Sequence, residues 1–133
     1  MEKLFIDTSA LYELVGTEDN ESTIAVETWE TMLENNDVLV TNNYVIVECF
    51  SLVQHRLGIE FARYLQSNIV PFLQVDWVDE RHHLKSVDLV FSANRRQLSL
   101  VDCSSFETMR RLKIDKVFTF DDHFRDQGFD VIP

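Results

Sequence analysis

Short apolar runs that alternate with longer segments of helical period narrow the possible folds of this chain more than any other feature. Lys3–Ile6, Val38–Thr41, Phe72–Val75, Lys116–Phe120 and Phe129–Ile132 are rich in β-branched and aromatic residues and have the length of buried strands. Between them, Ile24, Ala25, Trp29, Met32 and Leu33 recur at helical spacing from Ser22 to Asn35, with acids on the opposite face. Further helices are predicted from Ala10 to Val15, ending near Gly16, and from Tyr44 to Leu57, where Asn42-Asn43 can cap the start. Another runs from Ile59 to Ile69 with Phe61, Ala62 and Leu65 inward and is stopped by Pro71. The next leads from Asp79 to about Asn94 through Leu84, Val87, Val90, Phe91 and Ala93, and the last passes through Met109 to Leu112. Thr17–Glu21 reads as a polar loop. Strands that alternate with helices need parallel crossovers, which bring successive strand carboxyl ends to one side of a sheet. One layered α/β domain over residues 1–133 is expected.

Each isolated acid then has a structural and a chemical reading. Asp7 ends the first apolar run, where open α/β sheets place their ligand crevice; followed by Thr8 and Ser9, it is equally a helix N-cap. Glu48 is the only charged side chain between Asp37 and Arg56, on a helix apolar nearly all round. An unpaired carboxylate buried there costs several kcal/mol, so it faces a partner, a metal, a cleft or an exposed seam. Tyr44 and Ser51 share its helix face and should lie near the same opening. Asp102 is the only charged residue between Arg96 and Glu107, and Ser99 to Asp102 forms an S-x-x-D capping box, a role compatible with projecting toward a metal. Asp121 ends the Lys116–Phe120 run and is preferred over its neighbour Asp122 because it directly follows the strand. Asp88 reads as a helix-face boundary, and His82-His83 as a solvated helix end, since adjacent helical side chains diverge by about 100° and chelate poorly.

Asp7, Glu48, Asp102 and Asp121, if brought together, repel one another unless cations neutralise them. Oxygen ligands alone select hard ions, Mg²⁺ or Mn²⁺, and such ions serve phosphodiester hydrolysis. With 12 basic against 23 acidic residues and a formal charge of −11, charge-driven coating of nucleic acid is disfavoured. An enzyme whose acids hold cations is not excluded by that balance. Arg95, Arg96, Arg110, Arg111, Lys113 and Arg125 are the cations available for RNA. No apolar run approaches the roughly 20 residues of a membrane span, no signal peptide is recognisable, and the expected compartment is the cytoplasm. Cys49 and Cys103 lack zinc-site spacing and read as reduced core residues.

Leu4-Phe5-Ile6-Asp7-Thr8-Ser9-Ala10-Leu11, the lone Glu48, Leu100-Val101-Asp102-Cys103-Ser104-Ser105-Phe106 and Val117-Phe118-Thr119-Phe120-Asp121-Asp122-His123-Phe124, followed by Gly128-Phe129, resemble a PIN domain. The closest look is to VapC-type toxin ribonucleases, and the resemblance covers essentially the whole chain in order. It implies a three-layer α/β/α sandwich around a mainly parallel sheet and a Mg²⁺- or Mn²⁺-dependent endoribonuclease. Asp7, Glu48, Asp102 and Asp121 would be the metal-binding acids, with Ser9, Ser105 and Thr119 as supporting hydroxyls. The resemblance also implies a homodimer and a small antitoxin that holds the toxin inactive. A non-catalytic PIN-like module that binds a protein would keep its acids for structure and bind no metal. A phosphate-accepting receiver domain is disfavoured, because no adjacent acid pair follows the first strand.

Overall fold

Leu4, Phe5 and Ile6 are buried in β1 (Lys3–Ile6), which lies at the centre of the sheet with neighbours on both sides. A strand covered on both faces needs a continuous apolar run, and this one has it. The computed structural model describes residues 1–16 and 19–133, so the predicted loop over 17–21 falls partly outside the described residues. Within them, Asp19 already caps a helix by accepting from the Ser22 amide.

After β1 come α1 (Thr8–Gly16), α2 (Asn20–Glu34), β2 (Val38–Asn42), α3 (Asn43–Leu57) and α4 (Ile59–Tyr64). The last continues into a π-helical turn (Leu65–Ile69) and a 3₁₀ turn (Val70–Phe72). The second half holds β3 (Gln74–Asp76), α5 (Glu80–Ala93), α6 (Leu100–Leu112), β4 (Lys116–Phe118), α7 (His123–Asp126) and β5 (Asp130–Ile132). The strands lie in the order β3-β2-β1-β4-β5 and every pairing is parallel, with Phe5 opposite both Val40 and Val117. The sheet expected to be mainly parallel is therefore wholly so among the described residues.

From β1 the chain steps outward to β2 and β3, then crosses back to β4 and β5 on the other side. Right-handed crossovers in opposite directions place α1 to α4 on one face and α5 to α7 on the other. Packing agrees: α1 lies against α2 and α3, and α5 lies against α6. The result is the three-layer α/β/α sandwich. Its reversal point lies between β1 and β4, where an open sheet leaves a crevice at its carboxyl edge.

Several local expectations are corrected. Residues 59–69 do not form one uniform α-helix; Ala62 and Leu65 point inward, but Phe61 is exposed. Pro71 falls in the 3₁₀ turn, which leaves Phe72 outside and shifts the third strand to Gln74–Asp76. In α5, Leu84 and Phe91 are exposed, while Ser86 is buried and Leu89, Val90 and Ala93 pack on the core. A stripe of Val47 and Ser51 on α3 faces outward, so that helix is not buried all round. His82 Nδ1 lies 2.8 Å from Asp79 Oδ1 and the His83 ring bonds to the Tyr44 hydroxyl, so the pair is engaged in protein contacts rather than solvated. Cys49 and Cys103 are buried free thiols. No helix among the described residues is long and apolar enough to cross a membrane.

Asn42 joins three elements. Its Oδ1 accepts from the Val45 amide at 2.9 Å and so caps α3, while Nδ2 donates to Ser104 and Thr108 hydroxyls of α6, each at 3.2 Å. The residue is fully buried, so truncation removes a cap and strands buried polar groups. Asn42→Ala should lower unfolding free energy by about 2–4 kcal/mol in urea titration. A loss below about 0.5 kcal/mol would contradict this role.

Candidate active site

Asp7 stands at the joint between β1 and α1. Its amide donates to the Phe118 carbonyl at 3.1 Å, continuing the β1–β4 ladder, while its own carbonyl accepts from the Leu11 amide and begins the helix. The side chain does something else. Oδ2 accepts from the Thr119 hydroxyl at 2.8 Å and from the Ser9 hydroxyl at 3.2 Å. Both hydroxyls are themselves held, because Ser9 Oγ accepts from the Phe120 amide at 2.9 Å and Thr119 Oγ1 accepts from the Asp121 amide at 3.0 Å. The two hydroxyls also lie 3.1 Å apart and bond to each other, and because the carboxylate can only accept, each hydroxyl's bond to Asp7 is made by its own proton. The start of α1 and the turn after β4 are thereby fastened to one acid.

Around Asp7 opens a cleft of about 340 Å³. All four predicted acids line it: Asp7 from the end of β1, Glu48 from α3, Asp102 from the first turn of α6 and Asp121 from the turn after β4. The predicted capping box at Asp102 is present as well, with Asp102 Oδ2 accepting from the Ser99 amide and Ser99 Oγ from the Asp102 amide. Asp121 faces the cleft and Asp122 turns out to pair with Arg125 at 2.9 Å. The reason differs from the expected one, since β4 stops at Phe118 and Asp121 reaches the cleft through a turn rather than from the strand end. Asp121 Oδ1 accepts from the His123 amide at 2.9 Å, which sets that turn.

Other expected residues lie elsewhere. Tyr44 is engaged with His83, and Ser51 is exposed, so neither shares the opening with Glu48. Ser105 is fully buried and its hydroxyl donates to the Val101 carbonyl of its own helix at 3.1 Å, with no hydrogen bond to an acid among the described residues. Arg111 is bound to Asp76 and Glu107, Arg110 to Gln127, and Arg125 to Asp122; none of the six cations expected to serve RNA lines the cleft.

The cleft also holds residues that the sequence reading passed over. Glu48, Leu52 and Arg56 line it together, one above another at i, i+4 and i+8 on α3, a spacing legible without a structure. Arg56 is the only basic side chain among the described residues lining the cleft, and its guanidinium sits 5.7 Å from the Tyr12 ring centre. Glu13 and Glu21 add acids from the α1–α2 side, and Tyr12 and Phe120 add aromatic wall.

Burial first, and the charges of Asp102 and Asp121 second, push the Asp7 carboxyl up to about 6 against the pull of its Thr119 and Thr8 hydrogen bonds. Asp102 is raised too, by burial and then by Asp121, opposed by the Ser99 amide. Carboxylates disfavoured in this way gain from a cation among them. An all-carboxylate set suits a hard divalent ion, so these residues fit one.

The chain resembles known proteins over nearly its whole length. The PIN domain profile matches residues 4–130. The chain is 27% identical over 130 residues to the 23S rRNA-specific endonuclease VapC20 of Mycobacterium tuberculosis, in both strain CDC 1551 and strain H37Rv, with 95% of each protein covered. The crystal structure of that VapC20, described as a sarcin-ricin loop cleaving toxin, matches with a TM-score of 0.85 at 26% identity over 95% of each chain. FitAcB from Neisseria gonorrhoeae has a TM-score of 0.69 at 16% identity, covering 100% of this chain and 97% of its own, and so shares the fold. FitAB bound to an IR36 DNA fragment shares it equally, with a TM-score of 0.69 at 15% identity over 99% of this chain and 94% of its own. Matched from Leu4 to Asp130, through all four acids of the cleft, the chain belongs to the PIN domain family.

Proposed function

We propose that this protein is a metal-dependent endoribonuclease and the toxin of a toxin-antitoxin pair. The observation that supports the reading is that Asp7, Glu48, Asp102 and Asp121 all line one cleft, in which the buried Asp7 carboxyl is disfavoured as an anion and Asp102 and Asp121 bring donor atoms within 4.8 Å of each other. These four side chains would hold Mg²⁺ or Mn²⁺, which when bound supplies water activation and charge neutralisation at a phosphodiester. Ser9 and Thr119 orient Asp7 through their hydroxyl protons. Arg56, held against Tyr12, presents a guanidinium to an incoming phosphate, a geometry suited to charge-assisted hydrogen bonds. Tyr12 and Phe120 offer ring surface on which an unpaired base can stack, as single-stranded RNA recognition uses.

Similarity to VapC20 makes RNA the substrate class and the sarcin-ricin loop of 23S rRNA the first substrate to test. An antitoxin and a second copy of the chain are proposed as protein partners. Phe61 and Tyr64 of α4, with Leu14 and Val15 of α1 and Glu60 at the edge, line a mostly apolar groove that such a partner can cover. The proposed compartment is the cytoplasm.

With Mn²⁺ present, wild type should cleave a sarcin-ricin loop RNA and Asp7→Asn should lose at least about 100-fold in rate at unchanged far-UV circular dichroism. Equal rates for the two proteins would remove the proposed site. The same variant reports on the electrostatics. The folded Asp7 carboxyl titrates near 6 against an ordinary 3.8, so the metal-free folded state binds more protons than the unfolded one between these values. Stability of the metal-free protein should therefore contain a contribution that falls as pH rises from about 4 to 6. Asp7→Asn should abolish that contribution and be more stable than wild type at pH 7.5, on the order of 2–3 kcal/mol. Loss of stability in the variant at that pH, by thermal melts in chelator, would contradict the assignment.

A further inference from the structure

His123 stands at the edge of the acid cluster, beside Asp102 and Asp121. It opens α7, and its amide is held by Asp121 Oδ1 at 2.9 Å, which fixes the ring beside two carboxylates. Nδ1 is 3.2 Å from Asp121 Oδ1 and 3.7 Å from Asp102 Oδ2. One donor atom from each of Asp102, Asp121 and His123 lies within 4.8 Å of the others, the spacing of ligands around a single ion. Although the side chain is partly exposed, Nδ1 itself is buried and makes no hydrogen bond, its approach to Asp121 having the distance but not the direction of one. A buried polar nitrogen left unsatisfied is costly, and a cation at this point would satisfy it together with both carboxylates. His82 Nδ1, similarly buried without a hydrogen bond, lies beside the single acid Asp79 and belongs to no such three-donor group among the described residues.

We propose that His123 supplies an imidazole nitrogen to the metal ion held between Asp102 and Asp121, so that this end of the cleft is a mixed nitrogen and oxygen site that favours Mn²⁺ over Mg²⁺. The inference rests on the metal-dependent reading of the cleft. Mg²⁺ demands near-ideal octahedral oxygen ligands and keeps several waters, whereas first-row transition ions bind more tightly as nitrogen ligands replace oxygen. A toxin with this donor set would respond to the cell's Mn²⁺ level as well as to its Mg²⁺. The competing role for His123 is that of a counter-charge, binding no metal and only neutralising Asp121.

The experiment uses the whole chain and Mn²⁺ alone as the probe. Pulsed electron paramagnetic resonance of Mn²⁺ bound to the wild-type protein should show coupling to a ¹⁴N nucleus, converted to ¹⁵N coupling when the protein is labelled at histidine. His123→Gln should lose that coupling and, in competition titrations followed by thermal shift, should lose on the order of tenfold in its Mn²⁺:Mg²⁺ affinity ratio. The labelled wild type decides the question even where the variant fails to fold. Mn²⁺ that binds wild type but not Asp7→Asn, with no nitrogen coupling or with an unchanged ratio in His123→Gln, overturns the role of His123 and leaves the four-acid site standing. Absence of Mn²⁺ binding to wild type overturns both.

Discussion

The carboxylate of Asp7 is held in a place where ionisation is unfavourable, and much of the surrounding architecture serves to hold it there. It lies beyond the central strand with only 4% of its surface exposed, and two hydroxyl protons are directed at one of its oxygens. Those hydroxyls are fixed by amides of the turn that follows β4, so the position of Asp7 and the position of Asp121 are set by the same hydrogen bonds. Burial alone would drive the acid toward its neutral form. The neighbouring charges of Asp102 and Asp121 push the same way. Hydrogen bonds from Thr119 and Thr8 offset only part of that cost; a cation in the cleft would offset the rest, which is the physical content of the proposed metal site.

Sheet topology explains why acids so far apart in sequence meet. Asp7 and Asp121 follow β1 and β4, the two adjacent strands at which the chain reverses its direction across the sheet. Helix starts also face that edge, so Asp102, in the first turn of α6, arrives from the opposite layer. Glu48 comes from the second turn of α3, whose start is locked to α6 by Asn42. At the far side of α6, Arg111 ties Asp76 of the edge strand β3 to Glu107, and the strength of those hydrogen bonds raises the guanidinium's pKa still further. A basic residue counted as a candidate for RNA is therefore a structural brace. The cleft instead takes its one described cation from Arg56, on the same helix face as Glu48.

What was legible in the sequence follows from how local each feature is. The apolar run before Asp7, the Asn42 cap and the Ser99–Asp102 capping box are set by neighbours in the chain, and each is found where its residues predict. The lone Glu48 was visible because nothing nearby could neutralise it. Features that depend on tertiary contact were not legible. Phe61 and Phe91 look like core residues by helical period, but helical period does not say which flank of a helix the sheet covers, and both face outward. Ser105 sits in a motif that suggests a supporting hydroxyl, yet its proton returns to its own helix. His123 gave no signal as a single histidine, because only the turn after β4 brings it beside Asp102, 21 positions earlier in the chain.

As proposed, the four carboxylates hold a metal together in the cleft. Anomalous diffraction from crystals grown with Mn²⁺ tests it most directly. An anomalous peak is expected inside the cleft, within coordination distance of Asp7 and at least two of Glu48, Asp102 and Asp121. Saturating Mn²⁺ with no peak there, or with a peak only on surface acids such as Asp122 and Asp126, would contradict it.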